Sequence, residues 1–420
     1  MTDKMLKQIA ESYGTPVFVY EGALIDKKYR QLADALPAQV EIFYSMKANP
    51  ALAICQLLKQ CTKKIEVSSL GELYGARLAG FASEDILVSG PGKSQELLSR
   101  AIQGGELIQA ESLGEIEAIT QIAKRTNRQV SISIRLNPDF GLSNNGISMT
   151  GIRSQFGLEL NDFIKAVDMT RDVAFIRLQG ISVYTGTQIL RAGSIVSITE
   201  EILKLGLSLQ QRYGLKFEHI DFGGGFGIPY YGEEELDLQK LRVGLSTLFM
   251  TYKKELDGTR VYFESGRYLT AECGSFLTRI LYMKESKGKK YLVCDGGFNA
   301  ALIASFFSRE IRGNFPIRLI TGQERQTAVQ KDIYTISGPL CSPRDILGIN
   351  VRLPCAKEGD YICIGNVGAY GLTFSPVLFI SQPIPPEVLV EDGNCYLIRE
   401  RSSIDDILRH QVSVAKEGKS

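Results

Sequence analysis

The sequence predicts an α/β protein of two domains, a parallel (βα)8 TIM-like barrel followed by a second, mostly β C-terminal domain. Three observations carry that expectation. From about residue 40, short β-rich runs alternate with longer segments whose apolar residues recur every three or four positions. After about residue 275 the alternation gives way to strand-like runs separated by glycine and proline turns. The chemically unusual residues of the first region, Lys47, Tyr184, Gly223 to Gly225 and Glu264 to Arg267, stand just beyond predicted strands. That is where barrels of this kind build their active sites.

Taken in order, eight barrel strands are predicted at Glu41–Tyr44, Lys64–Val67, Ile86–Val88, Leu107–Ala110, Val130–Arg135, Leu178–Tyr184, His219–Phe222 and Val261–Glu264. Helices are predicted over Ala51–Lys59, Ser94–Ile102, Leu113–Lys124, Ile195–Arg212 and Leu238–Lys253. Ser94 reads as an N-cap, with Glu96 placing negative charge in the first helical turn. A doubly wound open sheet is the rival topology, and the clustering of unusual residues after the strands favours the barrel. Strands of the second domain are expected at Phe276–Met283, Tyr291–Cys294, Tyr361–Ile364 and Cys395–Ile398. The run Val17–Tyr20 precedes the barrel and is expected to join that β domain. The expected division is therefore an N-terminal segment over residues 1–25, a barrel over 26–275 and a β domain over 276–420.

With 420 residues, 44% of them hydrophobic, the chain can bury more than one core. Its 48 basic residues are balanced by 47 acidic ones, which argues against nucleic acid as a partner. The start, MTDKMLKQIAESYG, carries charge where a secretory signal would need an apolar stretch. No apolar run reaches the length of about 18 residues that a membrane span needs. A cytoplasmic protein with no membrane partner is expected. The eight cysteines show no metal-like spacing and read mostly as small buried apolar residues, Cys341 set apart. Two histidines, His219 and His410, leave little from which to build a metal site or a Ser-His-Asp hydrolase. His219 reads as structural, and no metal is expected.

Five motifs carry chemistry. In Tyr44-Ser-Met-Lys47-Ala-Asn-Pro50, a lysine at the end of an apolar strand leaves a partly desolvated amine at the barrel mouth. Such an amine is suited to bonding a carbonyl carbon, although a lone lysine there is ordinarily a solvated charge. Asp221-Phe-Gly-Gly-Gly-Phe-Gly227 offers bare backbone N–H groups to an anion. A triple glycine should arise by chance roughly 0.4 times in a chain this rich in glycine, so alone it is weak. It also lacks the dinucleotide spacing Gly-x-Gly-x-x-Gly. In Phe263-Glu264-Ser-Gly-Arg267, a carboxylate ending a strand can hold a protonated heterocyclic nitrogen, with Gly266 and Arg267 beside it for a phosphate. The bland alternative is a surface Glu–Arg pair. Ser337-Gly-Pro-Leu-Cys341-Ser-Pro-Arg-Asp345 is a turn-rich loop with a thiol, and Gly368-Ala-Tyr370-Gly presents a phenol.

In this order, and over nearly the whole chain from about Thr15 to Ile384, the five motifs resemble the decarboxylases of the alanine-racemase barrel fold (fold III). That family includes the ornithine, arginine and diaminopimelate decarboxylases. Val183-Tyr-Thr-Gly-Thr-Gln188, Phe222 to Tyr230, Glu264-Ser-Gly-Arg-Tyr-Leu269, the Gly338-to-Asp345 loop and Gly368 to Pro376 are most similar to its branch in butirosin biosynthesis. That antibiotic-pathway branch acts on an L-glutamyl group borne by an acyl-carrier protein. The resemblance implies pyridoxal 5′-phosphate as cofactor and a homodimer with shared active sites. It implies Lys47 as the lysine that holds the cofactor and Glu264 as the partner of the pyridine nitrogen. Thr187, Gly224, Gly225, Ser265, Gly266, Arg267 and Tyr370 become cofactor-binding residues, most of them at the phosphate. Cys341, from the partner subunit, returns a proton to the α-carbon. Ser342 and Asp345 become substrate-binding, and Glu72 and Arg135 fall at supporting polar positions.

Three departures from the family pattern bear on substrate. The family's histidine against the cofactor ring is replaced by Tyr184, which can stack without adding charge. The residue after the loop cysteine, acidic in relatives that grip a distal ammonium, is Ser342. The stretch Asp295-Gly-Gly-Phe-Asn-Ala-Ala-Leu-Ile-Ala-Ser305 lacks the arginine by which diaminopimelate enzymes hold a second carboxylate. The expected function is loss of the α-carboxylate from an amino acid or a carrier-bound, glutamyl-like aminoacyl group. The alternatives are a siderophore-pathway citryl-diamino acid decarboxylase, a diaminopimelate- or ornithine-type decarboxylase, a racemase on the same barrel, and a non-catalytic cofactor-binding regulator.

Overall fold

The computed structural model describes residues 1–141, 147–148, 150–151, 153–305, 313–321 and 330–414. They form two compact units, one of Gly22–Glu272 and one of Met1–Glu21 with Cys273–Ser420. The chain starts in the second of these. Thr2 caps helix α1 (Asp3–Tyr13), its side chain accepting the Met5 N–H at 3.3 Å. Strand β1 (Val17–Glu21) follows.

The larger unit is a closed barrel. Its strands are β2 (Val40–Ser45), β3 (Lys64–Val67), β4 (Ile86–Val88), β5 (Leu107–Ala110) and β6 (Val130–Arg135). After the two-residue β7 (Ile147–Ser148) come β8 (Ile176–Ser182), β9 (Gly186–Thr187), β10 (His219–Asp221) and β11 (Arg260–Ser265). Eight of them close in the order β10-β11-β2-β3-β4-β5-β6-β8, while β7 and β9 pair separately as an antiparallel ribbon. The predicted eight strands are all present. The open-sheet alternative fails because β11 pairs with β2, Val261 opposite Val40, which leaves no edge. Parallel strands buried on both faces read as short continuous apolar runs, and for that reason they were visible in the sequence.

The helices of this unit are α2 (Gly22–Ala35), α3 (Leu52–Cys61), α4 (Leu70–Leu78), α5 (Gln95–Gly104), α6 (Leu113–Thr126), α7 (Leu160–Arg171), α8 (Ala192–Tyr213), α9 (Leu238–Thr251) and the single turn α10 (Arg267–Thr270). Ser94 caps α5 as expected, accepting the Leu97 N–H at 3.1 Å. Helix α4 was not predicted, and Gly75 shows why. A glycine inside a helix lowers its propensity, and here the Met46 Cε packs 2.7 Å from where a Cβ would stand. Two βα junctions share one device. Ser69 and Ser112 accept the N–H of Glu72 and Glu115 at 3.1 and 3.2 Å, and those glutamates reach back to the N–H of Ser68 and Glu111 at 2.7 and 2.9 Å. Inside the barrel Phe43, Leu87 and Tyr262 form an apolar layer with Leu107 against it. His219 stacks on Tyr262 with ring centroids 5.0 Å apart, and burial pushes its pKa down to about 3, so it is a neutral structural ring.

The smaller unit is built on one nine-stranded sheet. Besides β1 it contains β12 (Gly274–Ser286), β13 (Lys289–Cys294), β14 (Ile317–Ile320), β15 (Lys331–Ser337), β16 (Ile346–Pro354), β17 (Tyr361–Ile364), β18 (Glu387–Glu391) and β19 (Asn394–Arg399). The run at Val17 joins this sheet, antiparallel to β12 and parallel to β18. Leu6, Ile9 and Ala10 of α1 pack with Val17, Val19, Leu277, Cys363 and Val388. Burying each large side chain of that set contributes about 1.5–3 kcal/mol. The cysteines follow the sequence reading in part: Cys55, Cys273, Cys294 and Cys363 are buried, Cys61 and Cys355 half-buried, and Cys341 and Cys395 exposed. Among the described residues no helix is long and apolar enough to cross a membrane.

Candidate active site

The C-terminal ends of the barrel strands carry a ring of charged side chains. Lys47 sits in the turn after β2, and its Nζ meets both oxygens of Glu66 on β3, at 2.8 and 2.7 Å. The Glu66 side chain is 2% exposed against 42% for Lys47, so the amine reaches solvent while its counterion does not. Ser68 and Ser89 also donate to Glu66. Burial opposes ionisation of Glu66, but Lys47 and the hydroxyls of Ser89 and Ser45 outweigh it and hold the carboxylate below its ordinary range. The sequence placed Glu72 beside Lys47. Glu72 is near enough for Lys47 to act on its charge, but its carboxylate accepts the Ser68 N–H at the start of α4, and Glu66 is the residue that bonds the amine.

Farther round the ring, Arg135 at the end of β6 donates to both oxygens of Glu111, at 3.1 and 3.2 Å. Its guanidinium lies over the rings of Phe156 and Tyr184, 4.7 and 5.8 Å from their centroids. Tyr184 is therefore half-buried at the barrel mouth with a cation beside it. Glu264, on β11, and Asp221, at the end of β10, are 6% and 1% exposed. Burial first, then mutual repulsion and the nearby Glu66, push Glu264 well up from the usual carboxylate range. Burial pushes Asp221 up to about 7. No lysine or arginine is paired with either carboxyl among the described residues.

The glycine run has a packing reason that the motif did not disclose. A Cβ on Gly224 would lie 2.0 Å from the Glu264 carbonyl oxygen, on Gly225 2.2 Å from that of Gly186, and on Gly266 2.7 Å from Ala48 Cβ. Bare backbone at these positions lets the loops after β2, β8, β10 and β11 interlock. The contacts that fix them are Ile189 N–H to Gly225 O at 2.8 Å, Gly227 N–H to Ile189 O at 3.0 Å and Glu264 N–H to Gly223 O at 2.6 Å. Thr187 lies on β9 within this weave. Arg267 donates to the Tyr230 hydroxyl at 2.9 Å, its guanidinium over that ring. The Ser265 hydroxyl is buried without a hydrogen-bond partner among the described residues.

The remaining expected residues belong to the β unit. Cys341 is exposed in the turn between β15 and β16, and the Ser342 hydroxyl accepts the Arg344 N–H at 3.3 Å. Asp345, expected to bind substrate, is buried at 2% exposure. Its carboxylate accepts the N–H groups of Phe298 and Leu340 at 2.8 and 2.9 Å. It anchors the loop that carries Cys341 rather than presenting a free carboxylate. Tyr370 holds φ +55°, a left-handed conformation costly for a bulky residue and most often kept where a side chain must be aimed.

The family description "pyridoxal-dependent decarboxylase, pyridoxal binding domain" matches residues 22–271, the barrel that carries this ring. The chain belongs to the pyridoxal-dependent decarboxylases. It is 38% identical to the L-glutamyl-(BtrI acyl-carrier protein) decarboxylase of Niallia circulans, over 96% of this chain and 95% of that one. It is 32% identical to a diaminopimelate decarboxylase of Methanothermobacter thermautotrophicus, over 96% and 93% of the two chains. The crystal structure of diaminopimelate decarboxylase from Methanocaldococcus jannaschii superposes with TM-score 0.89 at 25% identity, covering 97% of this chain and 94% of that one.

The residues present fit the cofactor of this decarboxylase family. Neither buried carboxyl has a cation paired directly with it among the described residues, and a protonated ring nitrogen would supply one. An accessible amine, an arginine and a buried hydroxyl without a partner provide the other donors. Sequence reading missed Glu66, Ser89 and Glu111. Their only signal was a charged or hydroxyl residue in or just after a short apolar strand.

Proposed function

We propose that this pyridoxal-phosphate decarboxylase removes the α-carboxylate of an aminoacyl group carried on an acyl-carrier protein, a glutamyl group in the first instance. It would work as a homodimer in which each site is completed by the partner's Cys341. The observation that carries the substrate reading is Ser342. A serine beside the loop cysteine cannot neutralise a distal ammonium, and burying that charge unpaired would cost several kcal/mol. The stretch from Asp295 to Ser305 offers no arginine to a distal carboxylate either. An uncharged distal group such as a thioester suits both. The relative at 38% identity, named for a glutamyl carrier-protein substrate, supports the same choice.

Pyridoxal phosphate, when bound, supplies a ring that accepts the electron pair released with carbon dioxide. In this reading Lys47 holds the group through its ε-amine, and Glu66 keeps that amine at the strand end. Glu264 would meet the ring nitrogen and stabilise its proton, and Tyr184 would stack on the ring. Thr187, Gly224, Gly225, Ser265, Gly266, Arg267 and Tyr370 bind the phosphate and the surrounding atoms. The Cys341 thiol gives a proton to the α-carbon after carbon dioxide leaves.

The substrate is tested by comparing kcat/KM for free lysine, ornithine, diaminopimelate and a glutamyl group on a phosphopantetheine arm. The carrier-bound group should exceed the free diamino acids by about 100-fold or more, the equivalent of one unpaired buried charge. Ser342→Glu should raise the value for ornithine and lower it for the carrier-bound group. Equal rates on free ornithine would defeat the argument from Ser342. For the assembly, mixing inactive Lys47→Ala and Cys341→Ala chains should restore up to about a quarter of wild-type activity, because random pairing leaves one intact site in half of the dimers. No recovery after verified subunit exchange would place each site within one chain.

A further inference from the structure

Asp221 has no part in the roles assigned above, yet it is the most deeply buried carboxyl of the ring. It ends β10, whose neighbour β11 carries Glu264. The turn that begins at Asp221 is locked onto β11, since Gly223 O accepts the Glu264 N–H at 2.6 Å and Gly224 lies tight against the Glu264 carbonyl. One oxygen, Oδ1, accepts the Gly223 N–H at 2.8 Å. The other, Oδ2, is sealed from solvent with no donor on it among the described residues, and the Glu264 side chain lies within hydrogen-bonding reach of the Asp221 carboxyl. Two acceptor-only carboxylates cannot occupy that position together, because like charges in contact repel and neither has a hydrogen to donate.

We infer that Asp221 is a positioning residue for Glu264: the two carboxyls hold one proton between them, and the hydrogen bond it forms fixes the Glu264 carboxylate toward the cofactor's ring nitrogen. This rests on the reading of Glu264 as that nitrogen's partner. The charged and titratable groups around the pair are consistent with a single retained proton. Glu66 raises the pKa of both members and Arg135 lowers it, while Lys47 acts on Glu264. His219 and Tyr262 on the same two strands are both kept neutral by burial. Asp221 is pushed up to about 7. Between the unfolded carboxylate value near 4 and that value, the folded apoprotein therefore keeps a proton that the unfolded chain has released. The contribution of this pair to stability must fall as pH rises through that window.

Asp221→Asn and Asp221→Ala separate this role from mere capping. Asparagine still accepts from Gly223 through Oδ1 and can donate to Glu264 through Nδ2, but it cannot titrate. Alanine does neither. Between pH 5 and pH 8 the melting temperature of the cofactor-free wild type should fall further than that of Asp221→Asn, by about 2 °C or more. Pyridoxal phosphate, measured by equilibrium titration, should bind Asp221→Asn within about threefold of wild type and Asp221→Ala about tenfold more weakly. A wild-type pH slope in Asp221→Asn would overturn the shared proton, and wild-type affinity in Asp221→Ala would overturn the positioning. If alanine prevents folding, the slope of the asparagine variant decides. If pyridoxal phosphate failed to bind the wild type at all, the assignment of Lys47 and Glu264 would fall, and the cofactor-free slope would still report on the pair.

Discussion

Changing Lys47 to alanine should lower decarboxylation by about 10³-fold or more, since it removes the amine proposed above to hold the cofactor. The same change strips Glu66 of its counterion. A carboxylate 2% exposed, left with two hydroxyl donors, should cost about 3–5 kcal/mol of stability. Lys47→Arg separates the two effects: it keeps a cation on Glu66 and should restore most of the lost stability while remaining inactive. Thermal melts and turnover measured on both variants check this. An arginine variant with more than a tenth of wild-type turnover would remove Lys47 from the covalent role.

Glu264→Gln should lower kcat by about 10²–10⁴-fold with a smaller change in KM, because an amide cannot balance a proton on the ring nitrogen. The loss should therefore sit in the chemical step rather than in substrate binding. The cofactor-free variant should also lose one raised carboxyl, and its stability should decline less than that of the wild type as pH rises above the ordinary carboxylate range. Steady-state kinetics together with melts from pH 5 to pH 8 read both effects. A kcat within about fivefold of wild type would show that Glu264 does not carry the ring-nitrogen contact.

Some of this site could be read from the chain and some could not, for a physical reason. Lys47 and Glu264 end apolar strands next to unusual motifs, so their charge stands out against the local pattern. Glu66 does not. Lys64-Ile-Glu66-Val67 reads as an ordinary half-exposed strand, and only closure of the barrel turns its second charge inward onto Lys47. Asp345 was legible as a loop carboxylate, but its use was not. Its partners, Phe298 and Leu340, are backbone amides whose approach the tertiary fold alone decides. The glycine run was read for the anion it can receive, whereas its close approach to the Gly186 and Glu264 carbonyls is a property of interlocked loops. Helix α4 was hidden by Gly71 and Gly75, which weaken its helical pattern. In the β unit, strands β14 to β16 escaped notice because their buried and exposed positions do not alternate regularly and so carry little period-two signal.

The covalent site is tested most directly by reduction of the cofactor-loaded protein with borohydride, followed by peptide mapping. The yellow colour of the loaded protein should bleach, and one pyridoxyl label per chain should be found on Lys47 and on no other lysine. A label on a different lysine, or a protein that stays colourless and unlabelled after incubation with pyridoxal phosphate, would contradict the assignment of Lys47 and of the ring of residues built around it.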